Sequence, residues 1–265
     1  MRKNNQIVAA SFAFFSLLPG CATTSNHAGD PLEGWNRGTQ LFNDKFDQYA
    51  MKPVAKGYDW IMPGFAHKGV SNFFSNLNDI GVTINDLLQF KISQTGLDGS
   101  RFLLNSSAGL AGLIDVASMI DLPKHHEDFD QTLGVWGVPT GPYLVLPLLG
   151  PSSPRGVTGL LGDAAVNPIT YVGFGAFPGL DNTVESAISS GLFVLNAIDK
   201  RADNLVLEKI VSEAASPDRY EFIKNAYFQN RKYLVQDGNL PDSEIDPDFK
   251  ETPEGGNSAP LDPTY

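Results

Sequence analysis

The sequence predicts an all-α protein, and three observations carry that reading. Apolar residues recur at three- and four-residue spacing through most of the chain, alternating strand patterns are scarce, and Pro and Gly divide the periodic stretches into short segments. No internal repeat is visible.

The elements follow in chain order. Met1-Arg2-Lys3 precedes the apolar run IVAASFAFFSLLP over residues 7–19, then Gly20 and the sole cysteine, Cys21. A basic start, an apolar stretch shorter than the ~20 residues of a bilayer span, and a small residue before the cut describe a secretory signal. Leu18-Pro19-Gly20-Cys21 resembles a bacterial lipobox, with Pro at the middle position as a departure. In that reading the thiol forms a thioether to diacylglycerol, and cleavage frees its amine for a third acyl chain. Two or more chains make anchoring stable, at ~0.8 kcal/mol per buried methylene. The competing reading is a simple secretion signal beside an incidental Cys21. Residue 22 is Ala rather than Asp, which directs a lipoprotein to the outer membrane where sorting reads that position. The expected division is a signal peptide over 1–20, a polar tether over 21–29, a helical domain over 30–238 and a disordered acidic tail over 239–265.

Asp30-Pro31 with Glu33 reads as an N-cap and capping box. The helix after it carries Leu32, Trp35, Thr39, Phe42, Phe46 and Tyr49 on one side. Pro53 opens a second helix, broken by Pro63-Gly64. A third is expected over Phe65–Leu77, and a fourth, capped by Asn78-Asp79, carries Ile80, Ile84, Leu87 and Leu88. Residues 92–114 mix apolar with small residues, suited to close packing. Residues 182–213 read as one long helix. Ser216-Pro217 caps a last one that ends near Gly238.

GVPTGPYLVLPLLGPSSPRG interrupts this pattern. From Pro142 to Leu149 it has no charged or amide side chain, and Pro142, Pro147 and Pro151 forbid a long regular helix. Such a piece spans about 12–27 Å, half a bilayer to nearly a whole one. It is either a loop clamped in a core or an apolar surface facing lipid. Tyr143, Leu144, Leu146, Leu148 and Leu149 are its lipid-path or membrane-facing candidates.

Composition excludes several classes. With 19 Lys+Arg against 30 Asp+Glu, nucleic acid is not an expected partner. One cysteine excludes a disulfide framework and multi-thiolate zinc sites. GFAHKGV at Gly64 has P-loop glycine spacing but Val70 in place of the lysine. GFGAFPG at Gly173 places Pro178 where a dinucleotide fingerprint needs its third Gly. No Gly-x-Ser-x-Gly elbow occurs. The KHHEDFDQTLG cluster, with His125, His126, Glu127, Asp128 and Asp130, suits metal binding or acid–base work but lacks the His-x-x-x-His spacing. A capped, solvated loop is the simpler expectation, and His67 reads as an ordinary surface residue. No cofactor and no catalytic residue are expected.

DPLEGWNR, KPVAKGYDWIMP, GVSNFFSNL, NDLLQ, RFLLNSSAGLAGLIDVAS, LPKHHEDFDQTLGVWGVPTGPYLVLPLLGPSSPRG and AYFQNR together resemble the MlaA (VacJ) family of outer-membrane lipoproteins, in register from about Asp30 to about Tyr233. The resemblance implies a ring of helices in the inner leaflet of the outer membrane, with a central amphipathic channel. Through it, mislocalised phospholipids leave the outer leaflet for a periplasmic, MlaC-like carrier protein. Trimeric porins are the implied membrane partner. Trp136 to Gly141 matches the family's channel hairpin, which makes Gly137 and Gly141 gating candidates; Pro139 stands where some members have Gly. Phe42 and Asn43 match the first-helix region that couples helix position to channel opening, although core packing would equally explain Phe42. A ring lying in one leaflet needs short helices and an apolar rim, whose edges Trp35, Trp60, Tyr143 and Tyr171 would suit. Two other functions compete: an adaptor lipoprotein binding porin or carrier without a lipid path, and a lipid-modifying enzyme using His125 or His126.

Overall fold

The computed structural model describes residues 30–172, 182–205 and 218–239. The signal peptide, Cys21, the tether, the segment at Gly173, the expected helix beyond Leu205, the Ser216-Pro217 cap and the tail from residue 240 lie outside the described residues. What is described is mostly helical, with one two-stranded hairpin that the all-α expectation did not contain.

Helix α1 spans Glu33–Phe46. The expected Asp30 cap does not form. The Asp30 carboxylate instead accepts from Tyr220 Oη (2.6 Å) and Lys224 Nζ (3.2 Å). A π-helical turn, Asp47–Met51, leads without a break into α2, Lys52–Ile61. Pro53, in the first turn of α2, has no N–H to give, and the widened turn just upstream accommodates the gap. Extended Met62 and Pro63 end the rod.

Helix α3 runs unbroken from Gly64 to Leu88, so the expected division at Asn78-Asp79 is absent. Asp79 is fully buried, pairs with Lys124 Nζ and lies 3.8 Å from Arg101 Nε. A tertiary ion cluster, not a cap, explains that carboxylate. Helix α4, Ile92–Ser107, makes the most extensive helix pair of the fold with α3. Arg101 on α4 also holds both oxygens of Asp115 at 3.1 Å, which Asn105 Nδ2 reaches at 2.9 Å. A 3-10 turn, Ser118–Ile120, follows.

Asp128 begins α5, Phe129–Val135, its carboxylate accepting from Gln131 N at 2.8 Å. Strands β1, Leu144–Leu146, and β2, Gly150–Ser152, pair antiparallel, with Val145 opposite Pro151. Ser153 caps α6, Pro154–Val166, whose first residue is the favoured proline. Helices α7, Pro168–Val172, α8, Asn182–Asp203, and α9, Arg219–Val235, complete the described chain; Asp218 caps α9.

The burial pattern is inverted. Among the described residues nine apolar residues are buried against nineteen polar or charged ones, while thirty-two large apolar residues are exposed. Ordinary water-soluble domains bury the first class and expose the second. On α1 the buried residues are Asn36 and Thr39, so the aromatic stripe has helical period but faces outward. Trp60, Phe65 and Phe90 are about 85% exposed. No described helix is long and apolar enough to cross a membrane.

The α3–α4 interface also contains Asp86 facing Asp98, both fully buried. Burial and then the hydrogen bond and like charge of Asp98 push Asp86 up to about 8. The native state therefore holds a proton that the unfolded chain releases near pH 4. The stability this supplies is complete below pH 4 and is lost as pH rises toward 8. We expect Asp86→Asn to raise the thermal midpoint at pH 8, leave it nearly unchanged at pH 4, and flatten the profile between. An unaltered pH profile would show that Asp86 ionises normally.

Candidate functional site

The site is where α1 meets the hairpin. Opposite Pro151, which has no N–H, Val145 turns its own N–H and C=O away from β2. That outer edge of β1 needs partners, and α1 supplies them with side chains. Asn36 Nδ2 donates to Tyr143 O (2.9 Å), and its Oδ1 accepts from Val145 N (2.8 Å). Trp35 Nε1 donates to Val145 O at 3.2 Å. Two turns along α1, Asn43 repeats the motif: Nδ2 donates to Leu146 O (2.9 Å) and Oδ1 accepts from Leu148 N (2.8 Å). Two amides seven residues apart on one helix face thus act as a substitute strand.

Beneath the hairpin lies an aromatic cluster of Tyr143, Val145 and Tyr220 with Tyr227 and Phe228. Tyr143, expected on a lipid path or membrane face, has its side chain in this core and is 3% exposed. Its ring contacts those of Tyr220, Tyr227 and Phe228 at 5.7–5.9 Å. Leu144 and Leu146 are half-buried, whereas Leu148 and Leu149 at the tip are each 60% exposed. Leu148 holds a left-handed conformation, φ 65°, and Gly150 follows at φ 80°. Phe42 is also half exposed and stacks on Phe46, so it is not a core residue.

The segment from Gly137 to Gly141 connects α5 to β1. Both glycines have positive φ, 86° and 80°, but their surroundings differ. A side chain at Gly137 would meet open space, while one at Gly141 would press on the Pro154 ring at 3.1 Å. Between them, Val138 O accepts from Arg155 Nη1 at 3.1 Å. Trp136 Nε1 donates to Leu88 O, one of the free carbonyls at the end of α3.

Arg155 belongs to a four-member ion cluster below this segment. Its Nε donates to Asp130 Oδ1 at 2.6 Å. Arg231 on α9 holds both oxygens of Asp128 at 2.7 Å and pairs with Asp130 Oδ2. Burial would raise the Asp128 carboxyl, but this fork-on-fork pairing brings it below the usual range. Nearby, burial and then the Asp128 charge push Asp163 up to about 6.

The acidic members of the His125–Asp130 stretch are therefore occupied structurally. Glu127 accepts from Lys91 and Gln89, and Asp128 and Asp130 bind the two arginines. His125 Nδ1 meets Gln94 Nε2 and lies 3.4 Å from Asp98, at the wall of an open cavity of about 510 Å³ shared with Phe90 and Lys91. His67 corrects its expectation as a surface residue: its side chain is 15% exposed and packs edge-on against Tyr58. Asn36, Arg155 and Arg231 were missed altogether. A neutral amide or a lone arginine on a helix carries no spacing signature, and their partners lie far away in sequence.

The MlaA lipoprotein family model matches residues 28–234. The intermembrane phospholipid transport system lipoprotein MlaA of Escherichia coli (strain K12) is 33% identical over 236 residues, covering 86% of this chain and 88% of the relative. The protein of the same description from Haemophilus influenzae is 31% identical over 243 residues, covering 85% and 89%. A solved structure described as "Structural basis for maintenance of bacterial outer membrane lipid asymmetry" has TM-score 0.66 and 32% identity, and covers 78% of this chain and 99% of its own.

Proposed function

The chain belongs to the MlaA lipoprotein family, and from that premise we propose that it works as an outer-membrane lipoprotein of intermembrane phospholipid transport, maintaining lipid asymmetry. It is a transport protein, not an enzyme. The observation that carries this reading is the inverted burial pattern: an apolar exterior around a polar, ion-paired interior. Such a body is stable where hydrocarbon surrounds it and polar groups meet one another inside. The described helices, too short or too polar to cross the bilayer, fit residence in one leaflet.

In the finer reading, Cys21 carries the acyl anchor after removal of residues 1–20, residues 21–29 tether it, and residues 239–265 form an acidic tail. The helices surround an amphipathic channel. Phospholipids leave the outer leaflet through it and pass to a soluble periplasmic carrier, while a trimeric porin holds the protein in place. Leu148 and Leu149 supply the apolar tip that meets acyl chains, and Gly137 and Gly141 let the adjoining loop move.

The test is a paired substitution at the hairpin tip. Leu148→Arg and Leu149→Arg each lie at exposed sites, so folding should survive. We expect phospholipid to accumulate in the outer leaflet of cells carrying either variant, measured by enzymatic acylation of lipid A from that pool. Wild-type asymmetry in both, with normal protein level, would refute the lipid path and favour the adaptor reading. Mass spectrometry of lipid co-purified with the wild-type protein supplies the direct check.

A further inference from the structure

We propose that His67, Asp199 and Asp203 form a site for one divalent transition-metal ion of the zinc class, joining α8 to the corner between α2 and α3. His67 sits in the first turn of α3. Asp199 and Asp203 are four residues apart near the end of α8, on one helix face. One donor atom from each residue lies within 4.8 Å of the other two. His67 Nε2 is 3.4 Å from Asp199 Oδ1 and 3.2 Å from Asp203 Oδ1. Two donors that share a tetrahedral ion at bonds of about 2.0–2.1 Å lie about 3.3–3.4 Å apart, so both separations match an edge of that polyhedron.

The surroundings have the character of a built site. Nε2 of His67 is buried and makes no hydrogen bond, and the ring packs edge-on against Tyr58 at 5.2 Å. Asp199 is 2% exposed. Tyr58 Oη and Ser71 Oγ each donate to it at 2.8 Å, which fixes the carboxylate as supporting donors do around a ligated metal. Nδ1 of His67 lies on the other side, 3.8 Å from the exposed Asp59 carboxylate. Asp203 is half exposed, which leaves an entry path and space for water to complete the coordination.

Charge and donor type select the ion. A neutral imidazole with two carboxylates carries two negative charges, which a dication cancels. One nitrogen and two oxygen donors suit zinc-like ions, whereas magnesium and calcium prefer oxygen alone. The competing arrangement is a protonated His67 paired with both aspartates, which would bind no metal.

The experiment uses the detergent-solubilised lipoprotein, stripped with a chelator and titrated with Co²⁺ and then Zn²⁺. We expect one Co²⁺ per chain, a visible ligand-field band of low-coordinate cobalt, and displacement by Zn²⁺. His67→Gln and Asp203→Asn should each weaken binding at least about tenfold and abolish the band, while His125→Gln should leave both unchanged. Asp203 is exposed enough that its variant folds, verified by unchanged helical circular dichroism. No saturable binding at micromolar ion, or binding that survives in Asp203→Asn, would overturn the proposal.

Discussion

Replacing Asp130 with alanine is expected to cost about 3–5 kcal/mol, the usual penalty for breaking one side of a buried ion pair. Asp130 is 4% exposed, and Arg155 donates to it at 2.6 Å. Arg231 keeps Asp128 in the variant, but Arg155 retains only the Val138 carbonyl and becomes a nearly uncompensated buried cation. The pair is held where the helices are closest. A side chain at Gly159 would lie within 2.7 Å of the Asp130 Cβ, so α5 and α6 cross at this point with no space between them. The thermal midpoint should fall by about 10 °C or more. Asp130→Asn, which retains an acceptor, should fall less. Equal midpoints for Asp130→Ala and wild type would show the cluster to be solvated.

The second large effect is expected at Asn36. Asn36→Leu keeps a γ-branched side chain and raises helix propensity, while leaving Tyr143 O and Val145 N without partners under a buried surface. Each orphaned group costs about 1–3 kcal/mol, so a loss of about 2–6 kcal/mol is expected. Amide exchange should locate it: Val145 N–H should exchange much faster. Asn43→Leu makes the same chemical change at Leu146 O and Leu148 N, and should accelerate amide exchange at Leu148 without affecting Val145. If Val145 remained as protected as in wild type after Asn36→Leu, the amide would not be holding the strand.

The helical class was legible because Trp35, Phe42 and Phe46 keep their spacing whichever way the stripe faces. Spacing does not say which side is inside, and here the amides are inside. The misread positions share one cause. Asp30 and Asp79 are placed like caps, but their carboxylates are taken by Tyr220 and Lys124, 190 and 45 residues away. A local signal cannot report that competition. The Pro-rich stretch was recognised as irregular, yet its strand appears only because Asn36 and Asn43 bind an edge that β2 leaves unpaired on the Val145 side. His67 looked ordinary because the two aspartates that face its Nε2 lie on α8, more than a hundred residues downstream.

With so few apolar side chains enclosed by the fold itself, its thermal signature should be unusual. Melting inside a micelle transfers little fresh hydrocarbon to water. The heat-capacity increment should then fall well below the roughly 12–15 cal/mol/K per residue of soluble domains. The curve of stability against temperature becomes shallow, and chilling ceases to threaten a molecule whose cohesion owes little to water's aversion to oil.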